Sequence, residues 1–162
     1  MEINDLLPAD VILVYGNLLF DRVVQHVTHS KYSHVAIVAD KPEYVIEAQE
    51  FSRVHYQDTG AYIGHADVFR CDLLDSLQRD QLIKNAEKHL NQRYDYLLVF
   101  IEFIRYTLGV MLPYYEHNSV ICSTLVSNAY KSVGVDLCEV KYPSPADIAK
   151  SGVLRYQGPL VG

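Results

Sequence analysis

The sequence Tyr32-Ser33-His34-Val35-Ala36-Ile37-Val38-Ala39 places a histidine at the start of a short apolar run that is rich in β-branched residues. Runs of this length, bounded by turn residues, are typical of buried β-strands. A turn at residues 40–43 follows, and residues 44–49 have the pattern of a second strand. We therefore predict a β-hairpin, in which these two strands pair in antiparallel fashion and begin a larger sheet.

The predicted hairpin brings His34 close to two polar side chains of its second strand. A register around the turn that places Ala36 opposite Glu47 also places His34 opposite Gln49. Side chains alternate between the two faces of a sheet, so His34, Glu47 and Gln49 point to the same face. Because directly opposed and diagonal neighbours both lie within reach, either Glu47 or Gln49 can be the partner of His34.

Glu47 lies inside the apolar segment Val45-Ile46-Glu47-Ala48, where a carboxylate is costly to bury without a partner. An imidazole on the neighbouring strand would be such a partner. The carboxylate would in turn orient the imidazole ring, as the third residue of a catalytic triad does. The simpler interpretation of Glu47 is a carboxylate at the end of a strand, in contact with water.

The rest of the chain alternates between strand and helix patterns. It predicts strands at residues 11–16 and 66–71, and helices at residues 19–27, 76–90, 96–108, 122–133 and 145–148. Residues 51–64 predict a loop or an irregular strand, and the tail from Gly152 predicts a last strand or a loose end. We find no linker or internal repeat, and we predict one domain, residues 1–162, of the α+β class with an antiparallel sheet packed against helices.

Charge and composition weigh against several other classes of protein. The net charge of -6 leaves no basic face, so we expect no nucleic-acid partner. The most apolar run, residues 96–112, is interrupted by Glu102 and Arg105 and predicts no transmembrane segment. The first residues do not have the pattern of a signal peptide, so we expect a cytoplasmic location. Three cysteines without paired spacing do not predict a disulfide framework.

Cys122 is a third candidate for chemistry, because it opens the apolar helical segment Ile121-Cys122-Ser123-Thr124-Leu125-Val126. A thiol is nucleophilic as its thiolate, which a helix N-terminus or a nearby imidazolium favours. Backbone N–H groups of the first helical turn would also stabilise an oxyanion. The alternative is an inert buried thiol, since free cysteine is among the most buried residue types. Cys71 and Cys138 do not lie at the start of a predicted helix. We interpret Cys71 as a core residue and Cys138 as an incidental thiol.

Histidine, carboxylate and cysteine together are the parts of a thiol-nucleophile hydrolase. A zinc site on His26, His29 and His34 is disfavoured, because neither a carboxylate nor a thiolate completes it at a suitable spacing. We therefore expect no metal and no cofactor.

Several segments, taken in order, resemble the circularly permuted NlpC-type papain-like hydrolases, a group related to the lecithin retinol acyltransferase-like enzymes. The segments are Leu7-Pro8-Ala9-Asp10-Val11-Ile12-Leu13, Tyr32-Ser33-His34-Val35-Ala36-Ile37-Val38, Ile46-Glu47-Ala48, Arg93-Tyr94-Asp95-Tyr96 and Ile121-Cys122-Ser123-Thr124-Leu125-Val126. In ordinary papain-like enzymes the nucleophile precedes the histidine in sequence. In the permuted group the histidine strand comes first and the cysteine helix last, as here. The resemblance extends from about Leu6 to Ile148.

The resemblance implies a permuted papain-like fold with Cys122 as nucleophile, His34 as general base and acid, and Glu47 as the orienting group. Because the third residue of the family varies in type, Gln49 stays open as an alternative to Glu47. Such an enzyme cleaves an amide bond, in a peptide or a lipid-linked molecule, or an ester bond, through an acyl-enzyme. Two alternatives remain: an acyltransferase that uses the same thioester, and a non-catalytic binding module on the same fold.

The substrate is expected to be a small amide, a peptide or a lipid-linked molecule. The side chains that we expect to contact it are those of Tyr15, Tyr32, Tyr115 and Ser123. The apolar run at residues 96–112 has three interpretations: a wall of an acyl pocket, an ordinary core helix, or a surface through which the chain forms a homo-oligomer.

Overall fold

An antiparallel sheet lies at the centre of the computed structural model, which describes residues 1–16, 19–49, 52–95, 99, 101, 104–105, 107–109 and 119–162. Its strands are β1 (Val11–Val14), β2 (His34–Val38), β3 (Tyr44–Ala48), β4 (Val54–Asp58), β5 (Ala66–Arg70) and β8 (Arg155–Pro159). Two short strands, β6 (Arg93–Tyr94) and β7 (Ser119–Val120), lie outside this sheet. The order in the six-stranded sheet is β4-β3-β2-β1-β5-β8, and β6 pairs with β7 in parallel. The predicted α+β class with an antiparallel sheet is confirmed.

The β2–β3 hairpin has the predicted register. Ile37 pairs with Ile46, and Val38 pairs with Val45. This register is the one in which Glu47 falls opposite Ala36, so the prediction that placed Glu47 on the same face as the histidine of β2 is confirmed.

Helices with described bounds accompany the sheet: α1 (Leu19–Thr28), α2 (Ser76–Glu87), α3 (Cys122–Lys131) and α4 (Pro145–Ala149). Their ends follow local sequence rules. Asp75 and Gln78 exchange side-chain hydrogen bonds with each other's backbone N–H groups, forming a capping box at the start of α2. Gly134 follows α3 with a φ of 83°, the left-handed conformation that ends many helices.

Both faces of the sheet are covered. On one face, Val35 and Ile37 of β2 belong to the same buried cluster as residues of α2 and α3. On the other face, Ala36 and Val38 pack with Tyr62 and with residues near the two ends of the chain. Burial from both sides explains why all four residues of β1 are apolar and buried, without the alternation of a half-exposed strand.

Three segments differ from the predicted pattern or lie beyond it. Residues 51–64, predicted as a loop or an irregular strand, contain β4, an edge strand paired with β3, and the 3-10 turn Thr59–Tyr62. The tail forms β8, which pairs with β5 across a bulge between Val68 and Phe69. The predicted helix at residues 96–108 lies largely outside the described residues. Within the part of the chain that the structure describes, no helix is long and apolar enough to cross a membrane.

Candidate active site

Three side chains from distant parts of the sequence meet beside the β2–β3 hairpin. His34 is the first residue of β2, and its Nε2 lies 2.7 Å from Oε2 of Glu47 on β3. Cys122, the first residue of α3, lies close enough to His34 to interact electrostatically with its ring. The imidazole therefore lies between the thiol and the carboxylate. Gln49, the competing partner, is exposed at the end of β3.

The carboxylate of Glu47 is completely buried and has neighbours on both oxygens. The hydroxyl of Tyr62 donates a hydrogen bond to Oε2, the oxygen that also faces His34. On the other side, Nε2 of His55 lies 3.6 Å from Oε1. Buried carboxylates require partners of this kind because an isolated charge is strongly disfavoured away from water.

The strand register explains how these neighbours reach Glu47. In the β3–β4 pair, His55 is the direct cross-strand partner of Glu47. The chain then enters the 3-10 turn, where the Asp58 side chain accepts a hydrogen bond from the Gly60 N–H at 2.7 Å. This turn places Tyr62 beside the histidine, with the ring centroids of Tyr62 and His34 6.4 Å apart.

The first turn of α3 is fixed by Thr124. Its Oγ1 lies 3.1 Å from both the N–H and the carbonyl oxygen of Ile121, the residue before the helix. Cys122 follows directly, with 6% of its surface exposed. The thiol thus stands at a helix N-terminus, where the helix dipole favours negative charge.

The site is arranged to hold His34 as a cation. Burial alone would lower the pKa of this imidazole. The negative charges of Cys122 and Glu47, together with a hydrogen bond to each, outweigh burial and raise the pKa well above its ordinary value. Because Nε2 is engaged with Glu47, Nδ1 is the ring nitrogen that remains for the thiol.

Glu47 responds in the opposite direction. Burial would raise the pKa of its carboxyl group, but the charge of His34 and the hydrogen bonds from His34 and Tyr62 lower it below the ordinary range. Glu47 therefore stays ionised, and its negative charge is one of those that raise the pKa of His34.

The side chains expected to contact substrate lie in different surroundings. Tyr32 is buried, and Tyr15 is half-buried, with their ring centroids 6.5 Å apart. Ser123 is fully buried, and its Oγ has no hydrogen-bond partner among the described residues. Tyr115 lies outside the described residues.

A buried polar cluster around Asp67 was not found from the sequence. Asp67 is 2% exposed; Lys31 Nζ lies 2.5 Å from its carboxylate, and the Tyr32 hydroxyl donates to the same oxygen at 2.7 Å. Burial and the hydrogen bond to Asp67 raise the pKa of Tyr32, so its hydroxyl remains a donor. The signal was available, since Asp67 interrupts the apolar strand Ala66-Asp67-Val68-Phe69 as Glu47 interrupts β3.

Tyr62 and His55 were also missed. Both lie in residues 51–64, whose polar composition favoured a loop. Recognition of β4 as a strand would have placed His55 opposite Glu47, but no local rule places Tyr62 against the same carboxylate.

The remaining cysteines and histidines lie in other environments. Cys71 is completely buried in the core, and burial raises the pKa of the half-buried Cys138. His26 and His29 are exposed near the end of α1. In the described ranges of the chain, no group of three or more histidine, cysteine, aspartate or glutamate side chains is arranged to hold a metal ion.

Comparison with known proteins gives a relationship in fold. No protein-family model matches the sequence. No curated protein matches it either. Among solved structures, the chain is similar to the crystal structure of the metalloprotein yiiX from Escherichia coli O157:H7, described as DUF1105. The two chains are 18% identical with a TM-score of 0.75, and the match covers 96% of this chain and 98% of that chain. At this identity the similarity establishes a shared fold over nearly the whole length of both chains.

Proposed function

We propose that this protein is a thiol-nucleophile hydrolase that cleaves an amide or ester bond through an acyl-enzyme on Cys122. The observation that carries the proposal is the position of His34, whose Nε2 lies 2.7 Å from the buried carboxylate of Glu47 and whose ring interacts with the Cys122 thiol. Nucleophile, base and orienting group in mutual contact are the diagnostic arrangement for this chemistry.

The proposed reaction begins from a thiolate–imidazolium pair, in which the proton of the Cys122 thiol resides on His34. The thiolate Sγ attacks the substrate carbonyl carbon, and backbone N–H groups at the start of α3 stabilise the resulting oxyanion. His34 then gives its proton to the leaving amine or alcohol as the C–N or C–O bond breaks, which leaves a thioester on Cys122. In the second half, His34 takes a proton from water, the hydroxide oxygen attacks the thioester, and the acid and the free thiol are released.

Glu47 has a positioning role in this scheme. Its contact with Nε2 directs Nδ1 of His34 toward the thiol, and its charge stabilises the imidazolium that forms in each half-reaction. The substrate that we propose is a small amide, a peptide or a lipid-linked molecule.

The resemblance to the permuted NlpC-type hydrolases supports the same proposal, because the histidine strand precedes the cysteine helix in sequence here as in that group. The structural neighbour is described as a metalloprotein. The donor sets among the described residues do not fit a metal ion, so the proposed reaction routes no step through one.

Trapping of the acyl-enzyme tests this function. The protein is exposed to p-nitrophenyl esters and anilides of short and long acyl chains, and intact and peptide masses are then measured. We expect a single acyl group on Cys122, which hydroxylamine removes as it does other thioesters. Cys122→Ser, which keeps the size of the side chain, is expected to form no thioester. Acylation of Cys71 or Cys138 with Cys122 unmodified would contradict the proposal.

A further inference from the structure

The two oxygens of the Glu47 carboxylate have unequal partners. Oε2 faces both His34 and Tyr62. Oε1 is buried and accepts no hydrogen bond from the described residues. Leaving a buried carboxylate oxygen without a donor is costly. A group that can supply a donor is His55, whose Nε2 lies 3.6 Å from Oε1.

The local geometry of His55 determines when it can act as a donor. Its Nδ1 lies 2.7 Å from the carbonyl oxygen of Arg53. A carbonyl oxygen can only accept, so Nδ1 carries a hydrogen in either charge state of the ring. Nε2 therefore carries a hydrogen only when the ring is protonated. The neutral ring would present a lone pair to the carboxylate, and the protonated ring presents an N–H group and a positive charge.

We propose that His55 is a positioning residue of the reaction proposed above, which in its protonated form holds the Glu47 carboxylate through Oε1. The inference rests on the proposed function, because it assigns His55 to the same site. With Oε1 held by His55 and Oε2 by Tyr62, the carboxylate is fixed in the orientation that meets Nε2 of His34. His55 thus acts on Cys122 through two intermediate side chains.

The charged groups around His55 support this assignment. Glu47 faces the ring from β3. The other oxygen of its carboxylate contacts His34 on β2 and Tyr62 in the 3-10 turn. Cys122 of α3 lies beyond His34. The guanidinium of the neighbouring Arg53 is directed elsewhere, to the carbonyl oxygen of Asn91 at 2.8 Å. Among the described residues, Glu47 is the carboxylate with which His55 forms an ion pair.

Two substitutions of His55 test the hydrogen-bond donor separately from the imidazole ring. His55→Gln places an amide N–H at about the position of Nε2 and keeps it at every pH, whereas His55→Leu removes the donor and keeps an apolar side chain. The measurement is the rate of iodoacetamide alkylation of Cys122, followed by peptide mass spectrometry in one buffer for all variants. Unfolding in urea checks that each variant is folded.

The donor role predicts a difference between the two variants. Wild type is expected to react about tenfold faster than His55→Leu, the effect of one hydrogen bond to a charged group. His55→Gln, which keeps a donor near the position of Nε2, should recover most of the wild-type rate. His29→Asn, which alters an exposed histidine bound through Nδ1 to the His26 carbonyl, should match wild type.

The outcomes distinguish this inference from the proposed function. Selective labelling of Cys122 in wild type, with an equal rate in His55→Leu or with no recovery in His55→Gln, would overturn the role of His55 and leave the hydrolase proposal standing. Labelling of Cys71 or Cys138 before Cys122 in wild type would overturn both.

Discussion

Glu47 is the residue on which the charge of the site depends, because it is fully buried and contacts the base directly. Its substitution by glutamine keeps the shape and removes the charge that raises the pKa of His34. We expect Glu47→Gln to lower the pKa of His34, measured from the NMR titration of its ring protons. We also expect acylation of Cys122 to slow by about tenfold, which corresponds to about 1.4 kcal/mol.

The control for this prediction is Glu43→Gln, which removes an exposed carboxylate from the same hairpin. It should leave both the His34 titration and the acylation rate unchanged. Cys122→Ser should lose more activity than Glu47→Gln, because the carboxylate acts through His34 and the thiol forms the covalent bond. Equal and complete loss in the two variants, with an unchanged pKa of His34, would indicate a structural role for Glu47.

Residue type and local position made Cys122, His34 and Glu47 candidates, and the family resemblance selected them as a set. A polar residue inside an apolar strand or at the start of a helix is visible without a structure. Tyr62, a further partner of Glu47, was not found, because it lies 15 positions away and reaches the carboxylate through a 3-10 turn that has no strong sequence signal. Such contacts depend on how a whole segment packs.

Among the elements, α3 contacts the candidate site at its N-terminus and the segment before β1 near its C-terminus. The hydroxyl of Tyr130, near the C-terminal end of this helix, donates to the carbonyl oxygen of Ala9 at 2.6 Å. Both residues are completely buried, and Ala9 has a φ of 66°, so this hydrogen bond fixes an unfavourable turn directly before β1.

We expect Tyr130→Phe to lower the free energy of unfolding by about 1–3 kcal/mol, since it leaves a buried carbonyl oxygen without its donor. Urea unfolding at neutral pH measures this change. Tyr44→Phe, which removes a hydroxyl from an exposed tyrosine of β3, is the matched control and should differ from wild type by less than about 0.5 kcal/mol. Equal stability of Tyr130→Phe and wild type would contradict the expectation.

Elements with strong local signals were predicted well. The capping box of α2 and the glycine after α3 depend on residues a few positions apart. The sequence left β4 open as a loop or an irregular strand, because it is an edge strand whose residues, apart from Val54, are half-buried or exposed, so it lacks an apolar run. Its conformation depends on pairing with β3, which is a property of the assembled sheet.

For the whole molecule, the coupled pair of Glu47 and His34 predicts how stability varies with pH. The pKa of Glu47 is lowered from 4.5, so its contribution is fully present above that value and is lost as the pH falls through the folded-state pKa. The pKa of His34 is raised from 6.5, so its contribution is fully present below that value and is lost as the pH rises through the folded-state pKa. The stabilisation from this pair is therefore greatest between those two ordinary values.

Urea unfolding from pH 3 to 10 measures this profile. On each side of the maximum, each titrating group contributes a slope of up to about 1.4 kcal/mol per pH unit. Glu47→Gln should flatten both sides, because it removes one group and reduces the shift of the other. Glu43→Gln should keep the wild-type profile. A Glu47→Gln profile parallel to that of wild type would show that this pair does not set the pH dependence.

The two ends of the polypeptide lie side by side. The Met1 amino group donates to the Pro159 carbonyl oxygen at 2.8 Å, and the Val161 N–H donates to the Met1 carbonyl oxygen at 3.0 Å. A linker of a few residues could therefore join them, and a new opening between the exposed residues Asp72 and Leu73 would then put Cys122 before His34 along the chain. The spatial arrangement of thiol, imidazole and carboxylate would be unchanged by this rearrangement. Their linear order is thus a matter of where the backbone is interrupted, and either order can produce the same three-dimensional constellation.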